Sequence, residues 1–183
     1  GTTWERVADQ PTGYIPHKGV FDHTTGLLYV ATSDTSGPYD GNKGDVYKLD
    51  TATGAWSLIS PIPSTSGDDY FGYSGLTIDR QTPGTVMVAT QISWWPDVIF
   101  FRSTDAGTTW TKISGGPTHP IRAVVDSGGT VYVTQQQGPT APCTKGGLFS
   151  VTRTGGTFTN ISPTATLFYD EAGSLNLTGS QVG

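Results

Sequence analysis

Apolar and polar residues alternate along this chain in short runs, and each run is cut off by a cluster of Gly, Asp, Asn, Ser, Thr or Pro. A repeat of two puts successive side chains on opposite faces of an extended backbone, so the pattern predicts strands. No segment keeps the 3.6-residue apolar stripe of a helix. The first stretch predicts strands over 18–21, 27–33, 45–49 and 55–60. They are divided by His23-Thr24-Thr25-Gly26, by Gly37-Pro38-Tyr39-Asp40-Gly41 and by Asp50-Thr51-Ala52-Thr53-Gly54. These dividers are turn chemistry: Asp and Thr bond their own backbone, and Gly accepts positive φ. The second stretch predicts 75–79, 85–91, 98–103 and 109–114, the third 121–126, 130–136, 148–152 and 157–162. Two further strands, 167–170 and 175–178, follow.

The stretches repeat. Trp4, Trp56, Trp110 and Phe158 each follow small turn residues, and three residues beyond them stand Val7, Ile59, Ile113 and Ile161. The aromatics are 52, 54 and 48 residues apart, and a period of that size marks similar units stacked on one another. Units one and three are the more alike: Trp56-Ser57-Leu58-Ile59-Ser60-Pro61 recurs as Phe158-Thr159-Asn160-Ile161-Ser162-Pro163. Four short antiparallel strands per unit make a propeller blade. The expected fold is therefore all-β, a partial β-propeller of about three and a half four-stranded blades. One blade cannot bury both faces and needs neighbours, while propellers close with roughly four to eight blades. Residues 1–183 are expected to form one partial propeller domain, with blade ends near Trp4, Trp56, Trp110 and Phe158. It is expected to be truncated at both ends, with the remaining blades of a longer protein as its partners.

Composition narrows the function. Charged residues are only 14%, the net charge is −5, and the Lys and Arg are scattered. No basic face is available to neutralise phosphates, so nucleic acid is not an expected partner. The 25 Gly, 12 Pro and abundant Ser and Thr are those of a secreted all-β protein. Cys143 stands alone, which excludes an internal disulfide and a Cys-x-x-Cys metal site. His17, His23 and His119 lie too far apart for a zinc site by spacing. The apolar runs fall far short of a membrane span. No metal, cofactor or membrane partner is expected.

Ser103-Thr104-Asp105-Ala106-Gly107-Thr108-Thr109-Trp110 fits S-x-D-x-G-x-T-W, the Asp-box. Its physics is that of a hairpin turn: the carboxylate of Asp105 accepts backbone N–H groups, Gly107 takes positive φ, and Trp110 plugs between sheets. Ser103, Asp105, Gly107 and Trp110 are thus structural. The candidate ligand contacts are loop aromatics. Ser93-Trp94-Trp95-Pro96-Asp97 places two indoles in a polar loop, where flat rings stack on the apolar faces of sugars. Tyr39 and Asp40 in a Gly-rich loop, and Tyr70, Phe71 and Tyr73 after Asp68-Asp69, are further candidates for substrate binding, as is His17 before the first strand. No phosphate loop, nucleophile elbow or H-E-x-x-H is present. Asn160-Ile161-Ser162 and Asn176-Leu177-Thr178 have the N-glycosylation form, and the sequence leaves their use open.

Residues 1–113 closely resemble the glycoside hydrolase family 74 xyloglucanases, both the xyloglucan-specific endoglucanases and the oligoxyloglucan reducing-end cellobiohydrolases. The matching text runs from Gln10 to Gly19, through Gly37-Pro38-Tyr39-Asp40-Gly41 and 43–48, through 70–79, and through Gln91-Ile92-Ser93-Trp94-Trp95-Pro96-Asp97 into the Asp-box. The resemblance implies seven-bladed propellers, secretion, and inverting hydrolysis of β-1,4-glucan carrying xylose branches, without a cofactor. It also implies one catalytic Asp from each of two propellers, in Asp-x-Gly-Gly-type segments. No such segment occurs here, so no catalytic residue is assigned. Trp94 and Trp95 resemble the family's glucan-stacking platform. The expected function is a glucan-binding portion of a secreted xyloglucan hydrolase, inactive when alone. The rival readings are a non-catalytic carbohydrate-binding propeller and a protein-interaction propeller.

Overall fold

The computed structural model describes residues 1–11, 13–34, 43–63, 72–90, 100–116, 120–135, 147–162, 168–169 and 175–176. Among them every regular element is a strand. Strands β1 (Ile15–Asp22), β2 (Leu27–Ser33), β3 (Val46–Asp50) and β4 (Trp56–Leu58) form one antiparallel sheet in sequence order. A second sheet holds β5 (Tyr73–Ile78), β6 (Val86–Thr90), β7 (Phe100–Ser103) and β8 (Thr111–Ile113). A third holds β9 (Pro120–Val125), β10 (Thr130–Gln135), β11 (Gly147–Thr152) and β12 (Thr159–Asn160). Strands β13 (Phe168–Tyr169) and β14 (Leu175–Asn176) pair by themselves.

The strands fall where the alternation places them, with two systematic differences. The first strand begins earlier than residue 18, because a register shift between Pro16 and Lys18 lets pairing continue through Pro16 to Ile15. Strand β1 is a sheet edge, where a residue without an N–H costs no ladder bond. Pro120 opens β9 on the corresponding edge. The fourth strands are shorter than expected, since β4 ends at Leu58 while the next residues turn inward. There Ile59 N–H donates to the Val46 carbonyl at 2.9 Å, and Val46 N–H donates to Ser60 Oγ at 2.9 Å.

The sheets stack face to face, β1 and β2 against β5, and β5 and β6 against β9. The period of two then assigns each side chain to one of two cores. Val86, Val88 and Phe101 face the first sheet, packing with Tyr29, Ala31, Val46, Ile59, Tyr73, Leu76 and Ile78. Met87, Ala89 and Phe100 face the third, packing with Ala123, Val131, Val133 and Val151. The middle sheet is thus covered on both faces, and every residue of β5 and β6 is buried. Burying an aliphatic or aromatic side chain of this size stabilises by roughly 1.5–3 kcal/mol, so the two interfaces hold the sheets together.

The recurring aromatic latches each sheet to what precedes it. The Trp110 indole N–H donates to the Ile59 carbonyl at 2.7 Å, and the Trp56 indole to the Ala8 carbonyl at 3.2 Å. Phe158 has no donor, and its ring lies instead over Gly116, where an added Cβ would stand 3.0 Å from it. Trp4 is 91% exposed.

Candidate functional site

Antiparallel strands in sequence order separate two kinds of connection. The turns β1–β2, β3–β4, β5–β6, β7–β8, β9–β10 and β11–β12 lie at one end of the sheets. The connections β2–β3, β4–β5, β6–β7, β8–β9 and β10–β11 all leave from the other. This loop end is the candidate site, because residues 35–42, 64–71, 91–99 and 136–146 fall in sequence between strands whose described ends lie there. Trp94, Trp95, Tyr39, Asp40, Tyr70 and Phe71 belong to these segments and lie outside the described residues, as do Asp68, Asp97, His119 and Cys143.

The base of the first of these loops is tightly built. Asp34 N–H donates to the Lys43 carbonyl at 2.8 Å, and Thr32 and Asp45 exchange three hydrogen bonds through backbone and Thr32 Oγ1. Gly44 lies so close to the opposite strand that a Cβ would strike the Thr32 carbonyl oxygen, so any side chain there forces the backbone to shift. The Asp45 carboxylate, 4% exposed, accepts the Ser60 hydroxyl at 2.7 Å. Burial and the neighbouring Asp45 raise the Tyr47 phenol to about 12, so it stays a neutral donor.

Tyr73 corrects one expectation. Rather than a loop aromatic facing ligand, it is the first residue of β5, fully buried in the core. A buried phenol needs a partner, and here it has two: its hydroxyl donates to the Ile62 carbonyl at 2.8 Å and accepts the Ile62 N–H at 3.0 Å. The residue clamps the chain leaving β4. His17 lies within β1, half-buried at the register shift, rather than before the strand. Arg122 is exposed at the same end of β9, and its guanidinium donates to the Ser74 carbonyl at 2.8 Å.

At the opposite end the carboxylates are tied into turns. The Asp105 carboxylate accepts Thr109 Oγ1 at 2.6 Å, Thr109 N–H at 2.8 Å and Ser103 Oγ at 2.7 Å, which together hold it at about 2. Gly107, at φ 84°, donates its N–H to Ser103 Oγ, and a Cβ there would strike Ile59 Cδ1 at 2.6 Å. The turn therefore sits on the preceding sheet, beside the Trp110 latch. Asp22, Asp79 and Asp126 close the three innermost strands, accepting from Thr24, Gln81 and Thr130 N–H at 2.9, 3.0 and 2.8 Å. Burial works against the Asp22 charge, but the Thr24, Thr25 and Gly84 donors outweigh it and lower its pKa.

Two cross-sheet links escaped the sequence reading. Lys48 Nζ donates to the Ala106 carbonyl at 3.0 Å, and Arg153 Nε faces the buried Asp79 carboxylate at 3.3 Å. Asp79 Oδ2 has no well-directed hydrogen bond besides that ion pair. Such partners depend on how sheets are offset, which local pattern does not encode. Among the described residues no group of three His, Cys, Asp or Glu is placed to hold a metal ion. No helix among them is long and apolar enough to cross a membrane.

No family profile matches the chain. A xyloglucanase of a Paenibacillus species is 54% identical over 145 residues, which covers 78% of this chain and 14% of that protein. A xyloglucanase of Hypocrea jecorina is 43% identical over 153 residues, 83% of this chain and 17% of that protein. The likeness therefore runs past residue 113, further than the motifs alone carry it. Among solved structures, the family 74 enzyme of Niastella koreensis superimposes with a TM-score of 0.68 at 26% identity, over 87% of this chain and 25% of that one. The chain spans about one seventh to one sixth of the curated relatives' length.

Proposed function

The chain is a segment of the glycoside hydrolase family 74 xyloglucanase kind, and from that premise we propose that it supplies glucan-binding subsites to a secreted enzyme that hydrolyses xyloglucan. What supports this reading is the topology: the described strands on either side of Tyr39-Asp40, Tyr70-Phe71 and Trp94-Trp95 in the sequence have their facing ends at one end of the stacked sheets. Indole and phenol rings offer flat apolar faces on which sugars stack.

The chemistry of the whole enzyme is inversion: a carboxylic acid protonates the leaving oxygen while a carboxylate activates water on the opposite face. Neither role falls to the described carboxylates of the turn end. Asp22, Asp50, Asp105 and Asp126 each accept turn N–H groups, and Asp79 is buried against Arg153. Their lone pairs are spent on the fold. The partners of this chain are the further blades that cover its outer faces. On the third sheet Val124, two residues before Asp126, is 53% exposed, whereas Thr77, two residues before Asp79 in the middle sheet with a neighbour on each side, is buried.

Retention in a xyloglucan affinity gel tests the reading. Replacing Trp94 and Trp95 by Ala weakens retention by about 1–3 kcal/mol per lost stacking contact, a scale taken from stacking of flat rings on aromatic side chains. Unchanged migration of the double variant would remove the platform. Release of reducing sugar from xyloglucan by the chain alone would overturn the assignment of catalysis to residues elsewhere.

A further inference from the structure

We propose that Asn160 is an acceptor for an N-linked glycan, carried on the outer rim of the stacked sheets. Asn160-Ile161-Ser162 has the acceptor form, and the structure adds what the form alone lacks. Asn160 ends β12, the outermost strand of the third sheet, and is exposed. Its Oδ1 accepts the Ser162 N–H at 2.9 Å, an Asx turn that uses the carboxamide oxygen and leaves Nδ2 directed away from the backbone bond. The Ser162 hydroxyl accepts the Leu148 N–H at 2.9 Å, which fixes the turn against the sheet.

The repeat shows that this position stays open when sheets stack. Counting from the closing aromatic, Asn160 corresponds to Leu58 in the first unit and Lys112 in the second. Lys112 belongs to the sheet that is covered on both faces, yet it is exposed. A side chain at this position therefore reaches solvent even with a neighbour on either side, and a bulky polar glycan there displaces no core residue. It also lies on an outer edge, away from the inner strands β1, β5 and β9, so a glycan there leaves the stacking interfaces intact.

In the transfer step, Nδ2 of Asn160 forms a bond to the anomeric carbon of an oligosaccharide carried on a polyprenyl diphosphate. The anomeric carbon–oxygen bond breaks, the diphosphate leaves with the electron pair, and one carboxamide proton is released. No oxidation or reduction is involved.

The test is translation of this chain behind a secretory leader in the presence of microsomes, followed by glycosidase digestion and peptide mapping. The expected result is a glycosidase-sensitive mass shift on the peptide carrying Asn160. Asn160→Gln abolishes that shift, and Ser162→Thr preserves it. An unmodified Asn160 peptide in the translocated chain overturns the proposal, as does a shift that survives Asn160→Gln because all of it resides at Asn176. Because the readout is a covalent mass and not xyloglucan binding, its failure is distinct from failure of the functional reading.

Discussion

At one end of the sheets the chain turns on Asp22, Asp50, Asp79, Asp105 and Asp126, each accepting N–H groups from residues two to four positions ahead. At the other end the equivalent work is done by contacts distant in sequence: Asp45 with Thr32 and Ser60, Tyr73 with Ile62, Arg122 with Ser74. The turn end closes each hairpin locally, and at Trp110 it docks the hairpin on the preceding sheet. At the loop end, the described contacts fix the bases of the connections. A repeated scaffold that closes its turns locally at one end and carries its long connections at the other suits a binding surface.

The difference is tested most severely at Trp110. Its indole packs against the core between the first two sheets and bonds the Ile59 carbonyl. Trp110→Ala removes both ring and bond and is expected to lower stability by about 3–5 kcal/mol, read as a shift in urea midpoint. Trp110→Phe keeps most of the ring and costs about 1 kcal/mol, since Phe158 serves the third unit without a donor. If the alanine variant unfolds at the wild-type midpoint, the turn end is not what joins the sheets.

Gly44 tests the loop end in the same way. A methyl there meets backbone, the Thr32 carbonyl oxygen and Ser33 Cα, and neither can rotate aside. Gly44→Ala is expected to cost about 2 kcal/mol, with the loss of protection in hydrogen exchange concentrated in β2 and β3. A variant as stable as the parent shows that the base of this loop is soft, and the contrast between locally closed turns and distantly anchored loop bases fails.

The two ends were not equally legible in the sequence. Asp105, Gly107 and Trp110 announce their turn because its partners lie within eight residues of text, and the run within 85–91 announces a strand, which the structure buries on both faces. Tyr73 misled because it follows Asp68-Asp69-Tyr70-Phe71, a run that reads as a wet loop. Only the Ile62 backbone, brought back by the β4–β5 connection, makes its burial affordable. Lys48 with Ala106 and Asp79 with Arg153 were invisible for the same reason, since their partners belong to other sheets. Sequence pattern reports what the chain does to itself over a few residues, and stacking offset is not among those things.

Titration separates the ends with the smallest perturbation. Hydrogen bonds from Thr109 and Ser103 lower Asp105 from 3.8 to about 2, and Asp50 and Asp126 are lowered mainly by turn N–H donors. A carboxylate with a depressed folded pKa favours the fold above its unfolded value, and the advantage disappears as pH falls through the folded one. Stability is therefore expected to decline from about pH 4 toward pH 2, beginning at the turn end. Burial raises Tyr47 to about 12, and burial likewise raises Tyr73. Phenols raised in this way favour the fold below an unfolded value of about 10, and that advantage is lost as pH climbs toward 12. Tyr29, toward the turn end, is likewise raised to about 12 by burial and by Asp22, so alkali acts along the whole first core, the loop end included. Asp105→Asn should flatten part of the acid limb of a urea-midpoint profile and leave the alkaline limb in place, while Tyr73→Phe should do the reverse. Equal damage to both limbs by either substitution means the ends unfold as one cooperative unit, and the distinction between them ends at the level of bonding.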